Sequence, residues 1–195
     1  MIEIWNKLYT WLEQHVPHLA DELNEGAGVQ SFKKLEDAIG KSLPEDFKAF
    51  YSIHDGQALD EDTGSAEGLI DGDILLPLEE VFVQWTAWKT LLEEGQFDQM
   101  VSTPDKGIKN AWWNPLWIPF THDDNGNHIC LDLDPDDSGA VGQVIMTWHD
   151  ATERVLVASS FSEFIAEYVE GLENGLYVYS EEWSGIINKE EAEDF

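Results

Sequence analysis

The sequence predicts an α+β domain with a mainly antiparallel sheet of about four to six strands, packed against N-terminal, central and C-terminal helices. Three observations carry this. Apolar residues recur at helical spacing near both ends of the chain and again in its middle. Four short runs rich in β-branched and aromatic residues lie close together within residues 116–159. No repeat and no linker interrupts the 195 residues, a length that suits one domain with a sizeable core.

The elements follow in order. Ile4, Trp5, Leu8, Tyr9, Leu12 and Val16 place a helix over residues 2–16, which Pro17 interrupts; Leu19 and Leu23 extend it, and Gly26 and Gly28 open a loop. SFKKLEDAIG, residues 31–40, is a second helix whose C-terminus Gly40 suits. LPEDFKAFYSIHDG, residues 43–56, is a third. Pro44 fits its first turn, where an N–H has no partner to lose, and Phe47, Phe50, Tyr51 and His54 keep the spacing. Residues 57–68 read as a surface loop and ILLP, residues 74–77, as a strand. Leu78, Val81, Phe82, Trp85, Trp88 and Leu92 then define a long central helix, placed outside the core, before a loop over 98–111.

LWIPFTH, HICLDLD, QVIMTW and RVLVAS are the four strand-like runs. DDNGN joins the first two, and its Asn-Gly pair predicts a type I′ hairpin with positive φ at both central residues. In the second run Ile129, Leu131 and Leu133 share one face, which leaves Cys130, Asp132 and Asp134 on the other, directed outward. Ser160 and Glu163 have capping-box spacing and open the last helix, striped by Phe161, Phe164, Ile165, Tyr168 and Leu172; Gly171 weakens it and Gly175 ends it. The expected organisation is an N-terminal helical extension (1–28), an α+β domain (29–179) and an acidic tail (180–195) in which Trp183, Ile186 and Ile187 are docking points.

Forty acids face ten bases, a formal net charge of -30, and Arg154 is the only arginine. Such a balance disfavours nucleic acid and anionic membrane, which need basic surfaces. It favours a basic protein partner, drawn in over distance. Adaptation to a salty cytoplasm is the competing explanation. The single Cys130 cannot form an internal disulfide, MIEIWNKLYT lacks the apolar stretch of a signal peptide, and no apolar run is long enough to span a membrane. A cytoplasmic protein is expected.

HDDNGNH and the acids behind it raise the question of a metal or catalytic site. Asp132, Asp134 and Asp136 have the first spacings of an EF-hand loop, but Asp137 and Gln143 stand where it needs Gly and Glu. His122 and His128 flank the turn without a zinc motif and read as exposed turn residues. Neither a nucleophile elbow nor a phosphate-binding loop occurs. The sequence therefore predicts no metal, no cofactor and no catalytic set. Trp112, Trp113 and Trp117 crowd AWWNPLW; Trp117 reads as core, while Trp112 and Trp113 read equally as core or interface.

LPEDFKAFYSIHDGQ, LLPLEEV, WIPFTHDDNGNHICLDLDP, GQVIMTWHD and VASSFSEFIAEYVEGL follow one another. In this order they resemble the SUKH superfamily, in the branch named for the fungal cell-wall assembly regulator. The resemblance runs from about residue 29 to residue 175. It implies an antiparallel sheet backed by helices and a non-enzymatic role. Its recurring residues here are Leu43, Pro44, Tyr51, Gly56, Gly126, Asp132, Gly142, Phe161 and Phe164, most of which have structural explanations. Bacterial members are similar to immunity proteins that neutralise toxins, many of them nucleases; fungal members are associated with cell-wall synthesis and signalling. Charge and resemblance together lead to an immunity protein that covers the basic surface of a cognate toxin. An intracellular regulator or scaffold of the cell wall is the alternative, and a carbohydrate-active enzyme the third reading. The expected contact residues are Asp123, Asp124, Asp132, Asp134, Asp136, Asp137, Trp112 and Trp113.

Overall fold

The computed structural model describes residues 1–193; residues 194 and 195 of the expected tail lie outside the described residues. The elements are α1 (Ile2–His15), α2 (Pro17–Asp21), α3 (Val29–Ile39), α4 (Glu45–Tyr51), β1 (Ile74–Leu75), α5 (Leu78–Glu93), β2 (Thr103–Pro104), β3 (Trp117–Pro119), β4 (Thr121–His122), β5 (His128–Asp132), β6 (Gln143–Thr147), β7 (Glu153–Ala158), α6 (Phe161–Glu173), β8 (Tyr177–Ser180), β9 (Gly185–Asn188) and α7 (Lys189–Glu193). The main sheet has the order β2-β7-β6-β5-β3 and is antiparallel except for the short β2–β7 pair. Two two-stranded sheets, β1–β4 and β8–β9, flank it. The α+β class stands.

One aromatic cluster joins the layers. The Phe161 ring lies 5.0 Å from Phe47, 5.2 Å from Phe50 and 5.4 Å from Phe120, all near edge-to-face. Trp5 of α1 stacks on Phe50 at 4.4 Å and donates its indole N–H to the Phe50 carbonyl. The N-terminal helix therefore shares the core of the rest.

Several elements differ from expectation for local reasons. The third helix stops at Tyr51 because the following backbone pairs with the loop before α3: Tyr51 O accepts from Ala27, Asp55 donates to Glu25 O and Gly56 O accepts from Asn24. Gly56 has φ +64, and a Cβ there would lie 2.5 Å from the Leu76 carbonyl carbon, so only glycine fits. Ser160 caps α6 by accepting from the Glu163 N–H, but the Glu163 carboxylate reaches back to Ser159 rather than Ser160. The central helix is not outside the core: Leu78, Val81 and Trp85 are buried, and the Trp85 indole N–H donates to Pro115 O. The 98–111 loop contains β2.

The expected tail is a folded hairpin. Ile186 and Ile187 are buried in β9, whose backbone crosses the chain near Gly68. Gly68 donates to Ser184 O, Ile186 donates to Gly68 O, and Ile186 O accepts from Gly72. These bonds need bare glycine backbone, since a Cβ on Gly185 would sit 2.8 Å from Gly68 N. Residue 180 thus ends a strand; of the expected docking points Ile186 and Ile187 are buried, and Trp183 is exposed.

Candidate partner-binding surface

The 123–127 turn is organised by Asp123. Its Oδ1 accepts the N–H groups of Asn125 and Asn127, and its Oδ2 accepts the Asn127 amide. Partial burial opposes ionisation of this carboxyl, but the donors outweigh it and hold it below the usual carboxylate range. The positive-φ residues are Asp124 and Gly126, not the Asn125-Gly126 pair a type I′ turn requires. The Asp123 side chain wraps a five-residue loop instead of a two-residue hairpin. Asp124 is exposed, takes a hydrogen bond from the Ser65 hydroxyl and lies 3.2 Å from His122 Nδ1.

Asp132 is not on an outward face. It is fully buried, as is every residue of β5. Alternation implies an open face only for a strand covered on one side; here Trp88 of α5 packs on His128, and Gln143, bonded to Gly107 O, closes over Asp132. Asp132 Oδ2 accepts from Gln143 Nε2 at 2.8 Å and Oδ1 from the Asp134 N–H at 2.9 Å. Gln143 pairs with it in register and also donates to Gly107 O. Burial pushes the Asp132 carboxyl up, against the pull of these donors. The acid is a latch that ties β5 to the 107 and 139–143 loops.

Asp134, half-buried, pairs with Lys109 Nζ at 2.5 Å and accepts from Asn114, and the lysine chiefly holds it below its ordinary value. Asp136 accepts the Ser138 hydroxyl and N–H, both at 2.7 Å, and closes its own turn. Asp137 is exposed. Of the six expected acids, Asp137 is exposed, while Asp123, Asp124, Asp134 and Asp136 meet solvent with some of their oxygens committed.

The tryptophans are structural in their packing. Trp113 is buried and stacks on Trp88 at 6.2 Å. Trp112 is half-buried beneath Arg154, whose guanidinium lies 4.7 Å from its ring and donates through Nε and Nη2 to the Trp112 carbonyl. Arg154 is itself buried and also serves the Ala151 and Glu153 carbonyls. The only arginine is a hub for loop backbone, a role that its sequence context did not signal.

His128 is buried, not exposed at a turn. Its ring stacks on His122 at 5.1 Å and meets Trp88 edge-on, and Nδ1 lies 2.7 Å from Thr121 O. Burial pushes its pKa down to about 4, so the ring is neutral and Nδ1 donates. Nearby Asp73, also buried, accepts the Thr121 hydroxyl at 2.5 Å, and burial raises its pKa to about 7. Among the described residues no group of three or more His, Cys, Asp or Glu side chains could hold a metal ion. No helix there is long and apolar enough to cross a membrane.

The surface is acidic beyond the composition. Lys7, Lys33, Lys34, Lys48, Lys89 and Lys109 each lie within ion-pair distance of a carboxylate, so most of the few cations are already engaged within the chain. Many of the other acids among the described residues, such as Glu13, Asp62 and Asp137, are exposed.

The SMI1 / KNR4 family (SUKH-1) matches residues 26–167. The chain belongs to that family. Over 95% of its length it is 30% identical to a glucan synthesis regulatory protein of Neurospora crassa. Over 92% it is 30% identical to the cell wall biosynthesis/cell cycle regulator smi1 of Schizosaccharomyces pombe. Over 88% it is 25% identical to the cell wall assembly regulator SMI1 of Saccharomyces cerevisiae. The chain spans 41%, 38% and 40% of these three proteins. In this SUKH-1 domain the family match ends inside α6; the pairwise similarity extends beyond it.

Proposed function

We propose that the chain is a non-enzymatic protein-binding domain that regulates or scaffolds cell-wall assembly, through a partner with a basic surface. The observation that carries this is its similarity, along 88–95% of its length, to three proteins named as regulators of glucan synthesis or the cell wall. The acidic surface supports the partner's charge. The fold uses Asp132 as a sealed latch, so this acid is not part of the surface offered to a partner. The toxin-neutralising reading, foremost in the sequence, has no counterpart in the names of these relatives, and the regulatory reading takes its place.

Expression of the chain in Saccharomyces cerevisiae lacking its own SMI1 tests this. Recovery of wall glucan content is the expected result. Unchanged glucan at matched levels of folded protein rejects the reading. Affinity capture at low and high salt then tests the charge: the partner should elute as salt rises.

A further inference from the structure

The β8–β9 sheet has an open edge. The register pairs Tyr177 with Asn188, Val178 with Ile187, Tyr179 with Ile186 and Ser180 with Gly185. In antiparallel pairs, hydrogen-bonded and non-bonded residue pairs alternate. Lys189 donates to Leu176 O, which makes Val178–Ile187 and Ser180–Gly185 the bonded pairs. Ile186 and Asn188 confirm the phase, because their backbone groups turn the other way, toward Gly68, Gly72 and Asp71. The N–H and C=O of Tyr177 and Tyr179 therefore point away from β9, and no third strand joins this sheet among the described residues.

That edge lies in a groove. Tyr177, Val178 and Tyr179 form one wall, and the exposed row Asn6, Thr10 and Gln14 of α1 lines the opposite one, around about 870 Å³. Both tyrosines are anchored from behind. The Tyr177 ring packs where a Cβ on Gly171 would be only 2.7 Å away, and the Tyr179 hydroxyl donates to Glu67. The edge strand YVYS has no lysine and no proline, the devices that usually keep an edge from pairing.

Charge selects the occupant. At one end Glu173, Glu170 and Glu3 surround Lys7, which Glu173 already pairs at 2.7 Å. At the other end Glu67, Glu22 and Glu181 gather around Tyr179, with His18 3.0 Å from Glu67, so the acids outnumber the one imidazole. Like charges at both ends disfavour an acidic chain and favour a basic one.

We infer that a basic, extended peptide segment of a partner protein adds as a strand to the outer edge of β8, held between that edge and α1. Main-chain hydrogen bonds to Tyr177 and Tyr179 would give affinity, and the carboxylates at the groove ends would select lysine or arginine side chains. The inference rests on the protein-binding reading above and names its site and partner chemistry.

The test uses the full chain and a fluorescent octapeptide of alternating lysine and valine. Controls are a glutamate–valine counterpart and two versions N-methylated on one or the other alternate set of residues. Strand addition predicts that the glutamate peptide binds at least about tenfold more weakly, and that one methylated set loses binding while the other keeps it, because only alternate residues face the edge. The Tyr177 and Tyr179 amides should gain exchange protection on binding, while the Val178 amide, already bonded, should not. The double variant Thr10→Arg/Gln14→Arg, on exposed helix positions, should weaken binding about tenfold without lowering the melting temperature. Absence of binding overturns the inference. So does equal tolerance of both methylated sets, or binding that shifts the 123–127 amides and leaves β8 unmoved. In any of those cases a chain that still restores wall glucan keeps the regulatory reading and loses only this groove.

Discussion

The acids between Asp123 and Asp136 and the backbone of β8 make opposite use of their hydrogen-bonding groups. Asp123, Asp132, Asp134 and Asp136 commit oxygens within the chain, to turn N–H groups, to Gln143, to Lys109 and Asn114, and to Ser138. Tyr177 and Tyr179 are uncharged, yet their main chain keeps groups available at a groove. A crowd of carboxylates marks a site poorly when the fold consumes them, whereas an unpaired edge exposes donors and acceptors that a partner can satisfy. Charge then acts at the rim, where it steers and selects.

The contrast can be broken first at the glycine crossing. Gly68→Ala puts a Cβ 2.3 Å from Gly72 O and should detach the β8–β9 hairpin, at a cost of about 2–4 kcal/mol in urea unfolding, with loss of groove binding. An unchanged midpoint would mean that the hairpin is held elsewhere. Asp132→Ala comes next. It leaves the Gln143 amide with only Gly107 O as acceptor and removes the acceptor of the Asp134 N–H, and should cost roughly 2–3 kcal/mol. Peptide binding at β8 should survive it; loss of both would tie the two regions together.

Asp73→Asn gives a pH-dependent effect. Its folded-state value, about 7, lies above that of an unfolded aspartate, so the stability it contributes is present at low pH and lost as pH rises from about 4 to 7. His128 runs the other way: its value of about 4 lies below that of a free histidine, and its contribution is lost as pH falls from about 6.5 to 4. Between about pH 5 and pH 8 the variant's stability relative to the native chain should therefore improve by roughly 2–3 kcal/mol, read from paired denaturation curves. A constant difference would show that Asp73 ionises without penalty. The smallest effect belongs to Asp137→Asn, an exposed acid, with a change in stability within about 0.5 kcal/mol. Its partner affinity should fall only at low salt.

What was legible in the sequence follows from what is local. Helical spacing located α1, α3, α5 and α6, and the four apolar runs located the main strands, because periodicity records which side of an element is covered. It did not record that β5 is covered on both sides, so Asp132 and His128 were read as outward or exposed when neighbouring layers bury them. The β8–β9 hairpin was hidden because each strand is four residues long and Ile186 is buried by contact with Gly68, far away in sequence. The acidic excess could be counted directly. The groove could not be seen, since its walls come from α1 and β8 at opposite ends of the chain.

Cys130 offers a clock for all of this. It is the only cysteine, sits in the middle of β5, contacts the Thr147 hydroxyl, and burial pushes its thiol up to about 12. A thiol reagent can reach it only when the sheet itself opens, because the reactive thiolate scarcely exists in the closed state. The rate of labelling at one native atom therefore measures how often the core comes apart, and a partner that merely adds to the β8 edge should slow that rate only as far as it stabilises the whole domain.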